Sequence, residues 1–372
     1  MHTKSSLFHA LLTDHQHLRP GEKRTKIESF DILRGLSILF MILIHVMHNF
    51  GTHEFENSVP GLIIEALGGP FAAPVFMFVM GLFFVYTTSG SLRKGLKRGL
   101  LLILLGYALN LVRGIIPYYI YGSVLDSPWG TLSDYYQPEF LIFEVDILVF
   151  AGAAFILMAL IYKAVKKPIV WLFIALAVSL LSPLVWGLGL DHPIAKYPLS
   201  ILWGDYIITT FPVFPWLAFP LAGMAAGGLL CADAERRLLF NRLALYGLIP
   251  MAIGGILLAV DIDRQYHQYN QMGFGAITAI MGFILLWQWL IEKITNAINS
   301  KKKIGFFTFL SSNILVIYCV HWVIIKWLWP FIPLDQYGLG GVLLIATGVT
   351  IVAMLLTKLY ISLDKPVLKI RK

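Results

Sequence analysis

Charge is scarce in this sequence of 372 residues, in which charged residues make up 13% and hydrophobic residues 58%. A water-soluble domain has roughly 25% charged residues and could not cover so much apolar surface. The composition therefore excludes a soluble globular protein. It favours a chain whose helices face lipid, where each spanning helix needs about 20 mostly apolar residues.

Cysteines and nucleotide motifs are equally scarce. The two cysteines, Cys231 and Cys319, show no metal-ligand spacing, which excludes a disulfide framework and a cysteine zinc site. Neither GxxxxGK[S/T] nor GxGxxG occurs, so no motif is present to hold a nucleotide triphosphate or a dinucleotide. We expect no metal.

The net charge of +8 lies mostly in alternate loops and at both ends of the chain. Basic clusters fall near residues 93–98, 163–167, 236–242 and 293–303, whereas the opposite loops are acidic and aromatic. By the positive-inside rule, the basic loops and both termini are predicted to be cytoplasmic. The positive charge therefore indicates membrane topology and a lipid bilayer as partner, not nucleic acid.

Apolar runs predict an all-α, polytopic membrane bundle of about ten transmembrane helices. Residues 1–27 are predicted to be a cytoplasmic tail, residues 28–360 one integral membrane domain, and residues 361–372 a basic cytoplasmic tail. The ten predicted spans are Phe30–Phe50, Ile64–Tyr86, Leu100–Ile116, Phe140–Tyr162, Ile169–Leu190, Ile207–Leu230, Leu243–Val260, Gly273–Ile291, Phe307–Trp329 and Leu339–Tyr360.

The first predicted span carries four ionisable residues: Asp31 and Arg34 near its cytoplasmic end, and His45 and His48 toward its outer end. An ionisable side chain within the membrane costs roughly 2.5–3.5 kcal/mol on insertion scales, so such residues are functional candidates. His45 and His48 are three residues apart and share a helix face. Either imidazole could act as a general base.

Four further polar residues are expected in the outer half of the bundle: Asn110, Arg113, Glu144 and His321. Glu144 is expected at the start of the fourth helix, and these residues could converge with His45. Arg113 and Glu144 could equally form a structural ion pair, and a lone membrane histidine is often a hydrogen-bonded packing residue. Lys326 is expected to snorkel outward.

A basic cluster at the cytoplasmic end of the third helix includes Arg93, Lys97 and Arg98. Gly90, Gly95 and Gly99 lie among these residues and could let the backbone approach a bulky ligand. Together with Arg34, the cluster could bind the phosphates of a cytosolic ligand. Membrane topology alone also supplies positive charge at this position.

Four segments resemble the transmembrane acyltransferase superfamily, which includes heparan-α-glucosaminide N-acetyltransferase, its bacterial relatives and enzymes that O-acylate bacterial surface sugars. They are FDILRGLSILFMILIH at Phe30–His45, PVFMFVMGLFF at Pro74–Phe84, FPVFPWLAFPLAGMAAG at Phe211–Gly227 and IYCVHW at Ile317–Trp322.

The resemblance implies transfer of an acyl group, most simply acetyl, from acetyl-CoA to an amino-sugar amine or a glycan hydroxyl. It also implies a bacterial cytoplasmic (inner) membrane. In the sugar O-acylating branch, a first-helix histidine and a following acidic residue are associated with catalysis, and His45 and Glu54 match them. In the glucosaminide branch the histidine lies in the outer loop, where this chain has His53.

The remaining candidates follow from the chemistry of acyl transfer. Asn49 or Asn110 could stabilise the tetrahedral oxyanion, and Arg113, Glu144 and His321 could line the acceptor site. Two other function classes stay open: a secondary transporter of a small sugar or other solute, and a flippase or scaffold without chemistry. The sequence leaves N- against O-acylation and homo-oligomer formation undecided.

Overall fold

The computed structural model describes residues 7–14, 26–87, 91–122, 137–189, 191–192, 194–204, 208–232, 236–266, 268–297 and 301–363. Most of the two predicted tails, and Gly90, lie outside these ranges. The helices are α1 (Leu7–Leu12), α2 (Glu28–Phe50), α3 (His53–Glu56), α4 (Val59–Gly68), α5 (Ala73–Tyr86), α6 (Leu92–Asn110), the π-helix Leu111–Ile115, α7 (Ile116–Tyr121), α8 (Pro138–Phe143), α9 (Ile147–Ala164), α10 (Pro168–Val185), α11 (Lys196–Trp203), α12 (Val213–Trp216), α13 (Ala218–Ala232), α14 (Arg236–Val260), α15 (Ile262–Gln265), α16 (Phe274–Ala297), α17 (Lys301–Ser312), α18 (Ile314–Leu328) and α19 (Leu339–Ser362).

Within the described residues, nine helices or joined helices are long and apolar enough to span a membrane. A tenth span results if the bent pair Ile304–Ser312 and Ile314–Leu328 counts as one. The predicted all-α polytopic membrane bundle of about ten spans is therefore confirmed. The cytoplasmic location of the termini stays a prediction.

Three predicted spans are less regular than hydropathy indicates. The second is divided between α4 and α5, and the ninth bends by 76° between α17 and α18. The fourth span begins at Ile147, so the expectation that Glu144 starts a helix is wrong. Glu144 follows the short helix α8, Val145 donates to the Ile208 carbonyl, and the Asp146 carboxylate caps Ile147.

The chain divides into two compact units. The first unit comprises Met1–Phe30, Pro74–Gly106 and Val145–Asn299. Its helices approach closely where one presents glycine to the backbone of another. A side chain at Gly81 would clash with the Pro220 carbonyl, and one at Gly254 would clash with the Ala279 backbone. Small residues at such crossings let membrane helices pack backbone to backbone.

The second unit comprises Asp31–Ala73, Tyr107–Glu144 and Ser300–Lys372. Its apolar core joins the first-helix residues Ile42 and Met47 to Ile317 and Ile325 of α18. At the end of α2, the Phe50 carbonyl accepts from the Tyr337 amide at 2.9 Å, and the Thr52 amide donates to the Tyr337 carbonyl at 3.0 Å. These bonds fix the end of α2 beside the segment that leads into α19.

Candidate active site

The central feature of the second unit is a contact between two imidazoles. His45 of α2 and His321 of α18 place Nδ1 and Nε2, respectively, 3.0 Å apart. The rings are nearly parallel, with an interplanar angle of 8° and centroids 5.4 Å apart. His321 is fully buried, whereas His45 is half-buried. The Nδ1 of His321 lies 3.2 Å from the Ile317 carbonyl, one turn earlier in α18.

An indole ring supports this pair. The Trp322 ring centroid lies 4.1 Å from that of His45, and the Arg113 guanidinium carbon lies 4.8 Å from the indole. The Trp322 Nε1 donates to the Tyr318 hydroxyl at 3.1 Å. Aromatic stacking and a cation over an indole each favour a fixed ring orientation. Trp322 therefore contacts both the His45 imidazole and the Arg113 guanidinium.

A second cation lies beside the pair. The Lys326 Nζ lies 3.6 Å from the centroid of the Trp329 ring and donates to the Asn49 Oδ1 at 3.4 Å. Trp329 also donates to that oxygen at 3.0 Å, and the Asn49 Nδ2 donates to the His45 carbonyl at 2.6 Å. Asn49 therefore links the backbone at His45 to the lysine.

Arg113 is held by two side chains of the same unit. Its guanidinium is 2% exposed and forms a 3.0 Å ion pair with Glu144, and it donates to the Asn110 Oδ1 at 3.0 Å. The Asn110 Nδ2 donates to the carbonyls of Ile142 and Glu144 at 3.2 and 2.8 Å. Both amide hydrogens of Asn110 are thus engaged, which removes it as an oxyanion donor in this conformation.

The position of Arg113 follows from the π-helix. Ile116 donates to the Leu111 carbonyl, five residues back, so the Val112 carbonyl loses its α-helical donor. Its π-helical donor would be residue 117, which is proline and has no N–H. The Trp327 indole supplies the missing donor at 2.9 Å. This bond ties the segment that carries Arg113 to α18, which carries His321.

Residues 27–358 match the acyltransferase domain family, a range that includes every site residue described above. The chain belongs to the acyltransferase domain family. No curated protein matches the chain significantly. The family and the spanning helices together make this protein an integral membrane acyltransferase.

The structure brings four predicted residues of the acyltransferase together: His45, Arg113, Glu144 and His321. It does not bring Glu54 to His45. Glu54 lies exposed in the short helix α3, and the imidazole of His45 contacts His321 instead. The expected His45–Glu54 pair is therefore absent from the described residues.

The other two histidine candidates, His48 and His53, bond to other groups than His45 and His321 do. His48 bonds to Glu65 at 2.7 Å, with both side chains nearly half exposed. His53 is 92% exposed and lies 3.9 Å from Glu56, while Asn57 donates to its carbonyl. Burial is the main cause that raises the pKa of Glu56 from its ordinary value. Neither histidine contacts a second histidine or a buried cation in these interactions.

Arg34, a predicted phosphate ligand, is oriented by a buried carboxylate. Asp31 accepts from Arg34 at 3.0 Å, from Ser311 at 2.8 Å and from Thr308 at 3.3 Å. Asp31 is 4% exposed, and the Arg34 side chain is 26% exposed. The hydroxyls of α17 therefore fix Asp31, and Asp31 in turn orients Arg34.

The remaining phosphate candidates lie in the first unit. Arg93 and Lys97 are exposed, and the Arg98 guanidinium carbon lies 4.6 Å from the Phe155 ring centroid. The expectation that the glycines among them admit a ligand is wrong for the two described positions. Gly95 packs against Ala159, and Gly99 against Gly152 and Ile156. These glycines serve contact between helices.

Sequence reasoning missed the participation of Lys326, Trp322 and Trp329 in the site. A signal was present, since Tyr318, Trp322 and Lys326 recur every four residues along one helix face. Lys326 was assigned to outward snorkelling, but the structure packs its ammonium on Trp329 beside Asn49.

Proposed function

We propose that the acyltransferase moves an acyl group, most simply acetyl, from cytosolic acyl-CoA to an amine or hydroxyl of an amino sugar or glycan on the outer side of a bacterial cytoplasmic membrane. The observation that carries the proposal is the half-buried imidazole of His45, which contacts His321 and stacks on Trp322. A positioned imidazole is the commonest general base, and such a base contributes about 10²–10⁴ in rate.

In the proposed reaction, His45 takes a proton from the attacking N–H or O–H as that atom bonds to the thioester carbonyl carbon. The carbonyl oxygen becomes an oxyanion. The C–S bond then breaks, the carbonyl re-forms, and the imidazolium returns its proton to the departing thiolate. The acyl group passes from CoA to the acceptor and the proton from the acceptor to the CoA thiolate, so no further reactant is required.

The oxyanion is assigned to the cations around Trp322. Lys326 and Arg113 both lie over aromatic rings at this site, and preorganised N–H donors stabilise a developing oxyanion strongly where water is excluded. Asn110 is occupied by two backbone carbonyls, so Lys326 replaces it in this role. In the resting protein the Glu144 carboxylate lies 3.0 Å from the Arg113 guanidinium and neutralises its charge.

The donor phosphates are assigned to Arg93, Lys97 and Arg98 of the first unit, and Arg34 of the second unit is a separate candidate for a phosphate contact. This assignment depends on the positive charge of these residues and on their predicted cytoplasmic position. The acceptor is assigned to the surroundings of His45, because the half-buried imidazole is the group that must reach the attacking N–H or O–H.

The decisive experiment supplies labelled acetyl-CoA to purified enzyme in sealed vesicles whose cytoplasmic loops face outward, with amino sugars or glycans trapped inside. Label is expected in the trapped acceptor. Uptake of sugar without acylation would support a transporter and contradict the proposal. Labelling only when donor and acceptor share a compartment would leave an acyltransferase without the transmembrane step.

A further inference from the structure

We propose that His321 is a positioning residue that fixes the tautomer of His45 and shares the proton that His45 removes. This inference deepens the proposed function, because it concerns how the same base is prepared. It depends on three polar atoms that the structure places in a row: the Ile317 carbonyl oxygen, the His321 ring and the Nδ1 of His45.

The first bond decides the tautomer of His321. A backbone carbonyl only accepts hydrogen bonds, so the His321 Nδ1, 3.2 Å from the Ile317 carbonyl, carries the proton. A neutral imidazole has one N–H, and the other nitrogen is an acceptor. The Nε2 of neutral His321 therefore carries a lone pair.

The second bond transmits this choice to His45. Because the His321 Nε2 accepts, the Nδ1 of His45, 3.0 Å away, must donate. The remaining nitrogen of His45, Nε2, then carries its lone pair. The pair thus presents His45 as a proton acceptor, the form that a general base requires.

The same bond gives the removed proton a second location. When the Nε2 of His45 takes a proton, the hydrogen on its Nδ1 can move to the His321 Nε2. His321 is then the cation and donates from both nitrogens, to the Ile317 carbonyl and to His45. The reverse movement restores the proton for the leaving thiolate, so protons balance over the cycle.

A neutral partner is suited to the surroundings of this site. The other titratable groups that interact electrostatically with His45 are Arg113, Lys326 and His48. Glu144 forms an ion pair with Arg113. The Tyr318 ring centroid lies 5.3 Å from that of His321. An imidazole orients the base without adding an ionised carboxylate within the membrane-spanning helices, where charge is costly.

Two substitutions separate positioning from packing. His321→Phe keeps a ring against Trp322 and Tyr318 but has no acceptor, whereas His321→Gln keeps a carbonyl oxygen that can accept from His45. We expect kcat to fall roughly 10²–10⁴-fold in His321→Phe and less in His321→Gln. The opposite order, with the phenylalanine variant close to wild type, would overturn the proposal.

A third substitution tests proton sharing through the pH profile. In His321→Glu a carboxylate accepts from His45 and stabilises its imidazolium, so the acidic limb of the kcat/KM profile should move to higher pH. An unmoved limb in a folded, active His321→Glu enzyme would contradict a role for residue 321 in the protonation of His45.

The tautomer itself can be observed without turnover. Nitrogen-15 spectra of histidine-labelled protein, with the His45 signals identified by their loss in His45→Gln, should show a protonated Nδ1 and an unprotonated Nε2. The same pattern is expected in His321→Gln. Protonation at the Nε2 of neutral His45 in the wild type would overturn the inference. Absence of acyl transfer would instead defeat the proposed function and leave this measurement standing.

Discussion

The two units use buried polar side chains differently. In the first unit three buried hydroxyls bond to their own helix: Ser182 donates to the Val178 carbonyl, Ser200 to that of Lys196 and Thr295 to that of Ile291, each four residues back. In the second unit, side chains distant in sequence bond to one another, as in His45 with His321 and Asp31 with Ser311.

The two kinds of hydrogen bond have different uses: one stabilises a helix, and the other can position groups for a reaction. A hydroxyl that bonds to its own helix satisfies its hydrogen bonds locally and holds nothing in place for a substrate. Pairs between distant ionisable groups cost desolvation and fix relative positions, which is what a catalytic site requires. The first unit also contains bonds between distant side chains: Ser29 donates to Glu292 at 2.5 Å and accepts from Gln288 at 3.2 Å, and Trp289 donates to Asn241 at 2.8 Å. The distant pairs of the second unit include two histidines, which favours this unit as the location of the proposed acyl-transfer chemistry.

The largest expected effect is the loss of transfer on replacing His45. His45→Ala should reduce kcat by roughly 10²–10⁴, because the general base is removed, while thermal unfolding changes little. The measurement is acyl transfer by purified variants, with His192→Ala as the control for an exposed histidine. If His45→Ala turned over normally and His48→Ala or His53→Ala did not, a different imidazole would be the base.

The next effect concerns donor binding by the first unit. Arg98→Ala or Arg93→Ala should weaken acyl-CoA affinity by about 1–3 kcal/mol, the range of a charge-assisted hydrogen bond. Arg264→Ala removes an equal charge from a predicted outer loop and serves as the matched control.

Dephospho-CoA sharpens this test. It should bind wild type more weakly than CoA does, whereas the arginine variants should distinguish the two ligands little. If every variant lost the same affinity for CoA and for dephospho-CoA, the basic cluster would reflect membrane topology and would not bind phosphates.

Two adjacent glycines test the role of close packing in the first unit. Gly254→Ala would push a methyl group into the Ala279 backbone and should cost about 1–3 kcal/mol of unfolding free energy. A methyl group at Gly255 of the same helix would meet no neighbouring atom within 4 Å. Gly255→Ala should therefore leave the unfolding free energy unchanged or raise it by up to about 1 kcal/mol. The readout is the thermal midpoint of each variant. Similar shifts for both would argue that helix contact at Gly254 is unimportant.

The smallest effect is expected at the exposed pair of His48 and Glu65. Glu65→Gln should change the unfolding free energy by roughly 0.2–1 kcal/mol, because water and salt screen exposed ion pairs. The difference from wild type should shrink in high salt. A salt-independent loss of several kcal/mol would show that this pair is buried in the working protein.

Hydropathy predicted the spans well because lipid imposes length and composition on each helix separately. It could not predict the break between α4 and α5 or the bend before Ile314, since both depend on packing. Helix counting predicts an outer position for His45 and His321, but it could not predict their contact, which joins the first span to the ninth and depends on tertiary packing. The expectation that Gly95 and Gly99 admit a ligand is wrong because a glycine allows the close approach of a neighbouring helix as readily as that of a ligand.

The π-helix at Leu111–Ile115 can be regarded as one residue inserted into a continuous helix. One extra residue turns everything after it by about 100° about the helix axis. The helix therefore presents one face to its neighbours before Asn110 and another after Ile116. Deleting Val112 would restore a regular helix but turn Arg113 relative to the residues before it, so the acyltransferase depends on an angular offset that hydrophobic pattern alone does not record.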